Sequence, residues 1–202
     1  MSSSLKKNVY LVACGGHGRV VLDALVSSKV TVAGIIDAQL VPGSEVFGVK
    51  VLGDDSFLKK LDPLKTTLIN GLGSTGSTHG RIEIFERFSK LGFEFDGVVH
   101  PAASIGAECK IDQSAQIMAG AVLQNRVEVG ENVVISAHSV VSPGAIISGA
   151  VKLGRGAFVG AGAVIIQGIE IGEGCVIGAG AVVRHHVKAN TTVVGNPATQ
   201  LE

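Results

Sequence analysis

From position 99 to position 183 every sixth residue of the chain is a branched aliphatic, fifteen in an unbroken row that begins Val99, Ile105, Ile111 and ends Ile171, Ile177, Val183. With such residues at roughly 40% of positions, an uninterrupted row arises by chance on the order of once in a million. A second row, four places after each of these, runs from Ala103 to Ala181 and holds small or aliphatic residues, Cys109, Ser139 and Cys175 among them. A period of six matches neither a helical face nor sustained strand alternation. It matches a parallel β-helix, in which each hexad supplies a short strand and a corner and both rows point inward. Three hexads close a coil, so the row predicts about five coils. Burying each aliphatic contributes roughly 1.5–3 kcal/mol before chain entropy is subtracted.

Before position 97 the pattern differs. A strand is predicted over 9–13, then a turn with Gly15, Gly16 and Gly18, then a helix beginning near Arg19 with Val20, Val21, Ala24 and Leu25 on its apolar side. A second strand ends at Asp37, a third runs into the glycine loop 71–76, and "HGRIEIFERFSKLG" reads as a second helix. Strand–helix alternation predicts a small Rossmann-like parallel sheet. Six of the seven phenylalanines and the single tyrosine lie in this part. The chain therefore divides into an α/β domain, 1–96, and a β-helix domain, 97–202.

The glycine turn has a chemical logic. Residues without Cβ let backbone N–H groups at a helix start approach an anion, and Asp37 can accept ribose hydroxyls. Counting GxGxxG from Gly16 puts Val21 where the third glycine belongs, so this is not the dinucleotide fingerprint. A plain structural turn is the alternative. Gly71 and Gly73, following a strand end, could close the other side of the same pocket.

Lys+Arg and Asp+Glu are equal at 17 each. No charge bias favours nucleic acid or an acidic membrane surface. No apolar run approaches a membrane span and the first residues do not read as a signal peptide, so a soluble, cytoplasmic protein without membrane insertion is expected. Cys14, Cys109 and Cys175, odd in number and far apart, form neither a disulfide framework nor a zinc signature.

The hexads "IGEGCV", "IGAGAV" and "VGAGAV", closing with "VVGNPA", resemble the left-handed β-helix of hexapeptide-repeat acyltransferases. Taken in order, "GGHGR", "IID", "INGLGS", "VVHPAA" and "VVGNPA" resemble the sugar O-acyltransferase family related to sialic acid O-acetyltransferases, which includes enzymes that N-acetylate UDP-4-amino-sugars. The resemblance implies a homotrimer with active sites between neighbouring helices, acetyl-CoA as co-substrate, no metal, and a role in surface-glycan synthesis. It also implies that Gly15, Gly16, His17, Gly18 and Asp37 meet a sugar nucleotide, and that Gly149, Gly160 and Ala161 meet acetyl-CoA. Family members often follow the aspartate with a second acid, where this chain has Ala38.

The chemistry implied is attack of a sugar amine or hydroxyl on a thioester, which needs a base near neutral pKa. The family carries that base in a hexad of the type V-D-H-D-C, with a second histidine three residues before the proline of a "PGA" segment. Here "SPGA" stands at 142–145, but Val140 is three residues before Pro143, and the chain is short by two hexads that include the catalytic one. His138, at the fourth place of its hexad, is the remaining candidate base. A catalytically silent trimer that binds a sugar nucleotide or supports a partner enzyme is the alternative. A γ-class carbonic anhydrase needs three histidines converging from neighbouring coils, and the coils supply only His100 and His138, with His185 and His186 following the last one.

Overall fold

A computed structural model describes residues 7–73, 77–131, 134–135 and 145–201. His138 lies outside the described residues. Six strands form the first sheet: β1 (Asn8–Val12), β2 (Val32–Ile36), β3 (Glu45–Val46), β4 (Val49–Gly53), β5 (Thr66–Asn70) and β6 (Glu94–Asp96). Their order is β3-β4-β2-β1-β5-β6, parallel throughout except for the β3–β4 hairpin. Helix α1 (Gly16–Ser27) covers one face, packing Val21, Leu22 and Leu25 on Leu11 and Ile35. Helix α2 (His79–Ser89) and a 3-10 turn at Asp55–Lys60 cover the other, with Phe88, Leu58 and Phe95 against Val12 and Leu68.

Two details of the sequence reading change. Helix α1 starts three residues earlier than Arg19, because extended Gly15 ends the turn and takes the N-cap position. Val20 is 42% exposed, since at 100° per residue the stripe that meets the sheet runs through Val21, Leu22, Ala24 and Leu25.

Beyond Asp96 the chain winds into a parallel β-helix of two-residue strands arranged as three walls. The first wall stacks strands at 98–99, 116–117, 134–135, 158–159, 176–177 and 192–194; the second at 104–105, 122–123, 146–147, 164–165 and 182–183; the third at 110–111, 128–129, 152–153 and 170–171. The second residue of each strand with described side chains points inward, and from Ile117 onward these residues are almost fully buried. Val99 and Ile105 depart from the expectation of a uniformly buried row, at 42% and 38% exposed, because no coil lies beneath the first one.

Up to Val183 coil length is uniform with one exception, and the last turn is shorter, Val193 lying on Ile177 sixteen residues on. Ile117 lies on Val99, Leu123 on Ile105 and Ile165 on Ile147, each eighteen residues on. Val159, however, lies on Ile135, Ile147 on Leu123 and Leu153 on Val129, each twenty-four residues on. The coil entered at Ile135 therefore holds four hexads rather than three. Its surplus falls between Ile135 and Ile146, so Val141 of the aliphatic row does not belong to a described strand. Corners repeat with the same period: Gly156, Gly162, Gly168, Gly174 and Gly180 all have φ between 64° and 74°, and Glu108, Arg126 and Ala150 adopt the same left-handed backbone at equivalent places.

The α/β domain docks along the first wall. Val98 and Met118 join its core. Ile82 of α2 packs over Gly156, and the Thr78 hydroxyl donates to the Gly174 carbonyl at 3.0 Å. Arg155 is ion-paired with Glu86 of α2 and lies 3.8 and 3.7 Å from Glu131 and Glu173. Among the described residues no helix is long and apolar enough to cross a membrane.

An inward place is far less tolerant in the middle of the stack than at its open end. Ile165→Asp buries a carboxylate among aliphatics and is expected to cost upwards of about 4 kcal/mol, whereas Ile105→Asp costs about 1–2 kcal/mol. Urea unfolding followed by circular dichroism checks this, and equal midpoints for the two variants would remove the stacked-row account.

Candidate functional site

The glycine turn is built around one carbonyl. After β1 the chain turns through Ala13, a non-glycine residue at φ 65°, whose N–H donates to the Ile36 carbonyl at 2.9 Å. The Ala13 carbonyl oxygen then sits in the gap between Gly18 and Gly71. A Cβ on Gly18 would lie 2.3 Å from that oxygen, and one on Gly71 2.0 Å. Both glycines are buried, and their lack of a side chain is what lets α1 and the loop after β5 meet. Gly15, Gly16 and Gly73 are exposed, with open space where a Cβ of Gly15 or Gly16 would stand.

Asp37 braces this turn from the end of β2. One carboxylate oxygen accepts the Cys14 N–H at 2.7 Å, and the other accepts from the N–H groups of Gln39 and Leu40 at 2.7 and 3.0 Å. A carboxylate has about four acceptor positions, so the side chain is both a structural brace and able to take one further donor.

A chain of polar groups runs from the turn into the β-helix. His17 Nε2 lies 3.0 Å from Gln116 Oε1, and Gln116 Nε2 donates to the Asn70 carbonyl at 2.7 Å. That carbonyl also accepts from Arg81 at 2.8 Å, Arg81 donates to the Leu72 carbonyl at 2.9 Å, and Asn70 Nδ2 donates back to the Arg81 carbonyl. Gln116 and Arg81 are fully buried. Burial brings the Arg81 guanidinium down to about 9, which leaves it charged at neutral pH. Burial, followed by the positive charge of Arg81, brings His17 down to about 4 against the opposing effect of the Gln116 hydrogen bond, so its ring is neutral. Sequence reading singled out His17 but not Gln116, Asn70 or Arg81; a polar residue at an outward hexad place looks like a solvated one until a domain covers it.

The β-helix candidates are corner residues. Gly149 is buried beside Asn125, its N–H donating to Gln124 Oε1 at 3.2 Å and its carbonyl accepting from Gly168. Gly160 is buried under Ala179, and the Ala161 carbonyl accepts from Gly180. Gly149 and the Gly160–Ala161 pair occupy different corners, one on either side of the second wall. The outward residues of that wall, Val122, Ile146, Val164 and Val182, form a half-exposed aliphatic strip. His100 closes a local turn by accepting the Ala102 N–H, and His185 and His186 are exposed.

A hollow of about 550 Å³ lies on the third wall over Glu128, Lys152, Glu170 and His186, away from the glycine turn. Its ion pairs, such as Lys152–Glu170 at 3.0 Å, are solvent-exposed and contribute little. Among the described residues no group of three or more His, Cys, Asp or Glu side chains could hold a metal ion.

Residues 8–88 match the family described as PglD N-terminal domain, and residues 108–143 and 150–185 match bacterial transferase hexapeptide (six repeats). The acetyltransferase domain of PglB from Neisseria gonorrhoeae, solved with acetyl coenzyme A, is 30% identical over 97% of this chain and 100% of that one, with a TM-score of 0.78. PerB from Caulobacter crescentus, solved with CoA and GDP-perosamine, is 27% identical over 96% of this chain and 97% of that one, with a TM-score of 0.76. WeeI from Acinetobacter baumannii, 22% identical over 97% and 100% of the two chains with a TM-score of 0.69, shares the fold. No curated protein sequence matches the chain. The chain belongs to the hexapeptide-repeat sugar acyltransferase family, and by class it is an acetyltransferase. Its fold is the α/β domain followed by a left-handed β-helix.

Because His17 is held neutral, the unfolded chain binds a proton that the folded one resists as pH falls from 6.5 towards about 4. His17 thus contributes stability that is fully present above 6.5 and lost on acidification through this window. Wild type should lose stability more steeply between these values than His17→Gln, measured by denaturant midpoints at a series of pH values; parallel curves would contradict the neutral ring.

Proposed function

We propose that the protein transfers an acetyl group from acetyl-CoA to an amine or hydroxyl of a nucleotide-linked sugar, in the cytoplasm, for surface-glycan synthesis. The observation that carries this reading is the docking of an exposed glycine turn against the first wall of an acyltransferase β-helix. That arrangement extends over nearly the whole length of two relatives whose structures hold acetyl coenzyme A, or CoA with GDP-perosamine.

In this reading residues 1–96 bind the sugar nucleotide and 97–202 the acyl donor. The nucleotide phosphates approach the N–H groups at the start of α1, where Gly15 and Gly16 leave the backbone open and the helix dipole favours negative charge. Gly73 closes the opposite side, Asp37 accepts a ribose hydroxyl, and Gly18 and Gly71 hold the turn shut behind them. The acyl donor lies along the second wall between the corners of Gly149 and Gly160–Ala161. A homotrimer covers the aliphatic strip of that wall, which a monomer would leave in water.

His138 serves as general base. It takes the proton of the attacking amine or hydroxyl as the new bond to the thioester carbonyl forms. The carbon–sulfur bond then breaks, and the departing CoA thiolate is protonated. By hexad count His138 stands at the place held by corner residues such as Gly156 and Gly162 in other coils. One observation favours a second reading, a trimer that binds without turnover: the hexads that carry the family's base are missing from the sequence, and the coil entered at Ile135 is of irregular length.

The test is acetyl transfer from acetyl-CoA to a panel of UDP- and GDP-linked 4-amino-sugars and sialic acids, read by mass spectrometry of the sugar. One product should gain a single acetyl mass, and His138→Ala should lower kcat roughly 100-fold or more. Undiminished turnover in that variant removes His138 as the base. Absence of both product and acetyl-CoA binding across the panel sinks the transferase reading in favour of the silent trimer.

A further inference from the structure

Gln116 stands at an outward hexad place yet is fully buried, because the α/β domain covers the first wall there. Chemistry assigns its two amide atoms. The Asn70 carbonyl can only accept, so the Gln116 amino group faces it at 2.7 Å, and Gln116 Oε1 faces the His17 ring at 3.0 Å. An oxygen acceptor requires a donor opposite, so His17 carries its proton on Nε2. The ring is half-buried and close to the Arg81 guanidinium, which disfavours a second proton and leaves Nδ1 with a free lone pair.

We propose that Gln116 is a positioning residue of the sugar-nucleotide site: it fixes His17, which follows Gly16 in the turn and has its Cβ against Gly73, in the Nε2–H tautomer, so that Nδ1 accepts a hydrogen bond from a hydroxyl or N–H of the ligand. The inference rests on the reading of the glycine turn as that site. It also divides the ligand between neighbouring subsites. A lone pair repels a phosphate oxygen, so the phosphates belong over the N–H groups of Gly15 and Gly16, and a hydroxyl or N–H of the ribose, base or hexose belongs beside His17. The β-helix thereby sets the chemistry of a binding group in the other domain, through a contact that spans 99 residues of sequence.

The tautomer is read without ligand, from nitrogen-15 NMR of the His17 side chain in the full-length protein at neutral pH. The expected spectrum shows Nε2 protonated and Nδ1 bare in wild type, with that preference lost in Gln116→Met. A proton on Nδ1, alone or with one on Nε2, overturns the proposal.

Binding is then measured by calorimetry with the UDP- and GDP-linked 4-amino-sugars, on variants whose thermal midpoints show that they fold. His17→Asn can place an amide oxygen where Nδ1 stood and should bind within roughly threefold of wild type. His17→Gln reaches only the Nε2 place and should bind roughly tenfold more weakly. Gln116→Met should raise KM several-fold with kcat nearly unchanged. The opposite order for the two His17 variants, or a Gln116→Met defect confined to kcat, also overturns it. If wild type binds none of these sugars, the sugar-nucleotide reading falls and takes the ligand role of Nδ1 with it, while the ring spectrum still judges the Gln116 relay on its own.

Discussion

Parallel stacking of identical short strands is the constraint on which the molecule depends. A two-residue strand has too few hydrogen bonds to persist alone, so each must find a partner directly above and below it in register. That is possible only when every inward place carries an aliphatic, because one misplaced polar side chain would be buried on both its upper and lower sides. The uninterrupted row of Val, Ile and Leu, backed by small residues such as Ala121, Ala145 and Ala163, is therefore a requirement of the geometry. Many of the corners turn in so few residues by placing one of them in the αL region.

The α/β domain uses this rigid post as a reference surface. Its sheet would fold around its own two hydrophobic layers, but the position of its glycine turn is set by what it touches on the first wall. Val98 and Met118 provide apolar contact, Arg155 ties down α2, and Gln116 enters the polar network beneath the turn. The network is satisfied from both domains at once. Asn70, at the end of β5, is its common point, receiving Arg81 from α2 and Gln116 from the β-helix. A buried network of this kind is costly when any member is removed, which makes the relative placement of the two domains a stiff coordinate.

Much of the architecture was legible in the sequence because its signals are local. The six-residue period, the strand–helix alternation and the glycine turn each need only a short window, and all three appear among the described residues, with α1 starting three residues early. What the sequence concealed is of two kinds. Val20 and the exposed ends of the row, Val99 and Ile105, depend on where an element stops or which way a helix is rotated, neither of which a periodic pattern contains. Gln116 depends on a partner in another domain, and Gly18 with Gly71 on a backbone approach between residues 53 apart in sequence. The sequence presents Gln116 as an ordinary residue of its hexad, and it marks the two glycines as turn residues without showing that they pack on each other. The candidate base is hard to place for a different reason: the pattern around His138 is in phase with the row, and phase alone does not say which coil a hexad joins.

The coil that spans twenty-four residues keeps this phase while changing its length. The chain keeps two counts at once, a count of six that decides which side chains face the core and a count of eighteen that decides which strand sits on which. A length change of one hexad satisfies the first and violates the second. The strands on either side stay in phase while one extra hexad is spent between the first wall at Ile135 and the second at Ile146. Such a scaffold can gain or lose surface segments in discrete quanta without renegotiating its interior, so a lineage of these proteins can reshape the edge of its cleft while the stack beneath goes on folding as before.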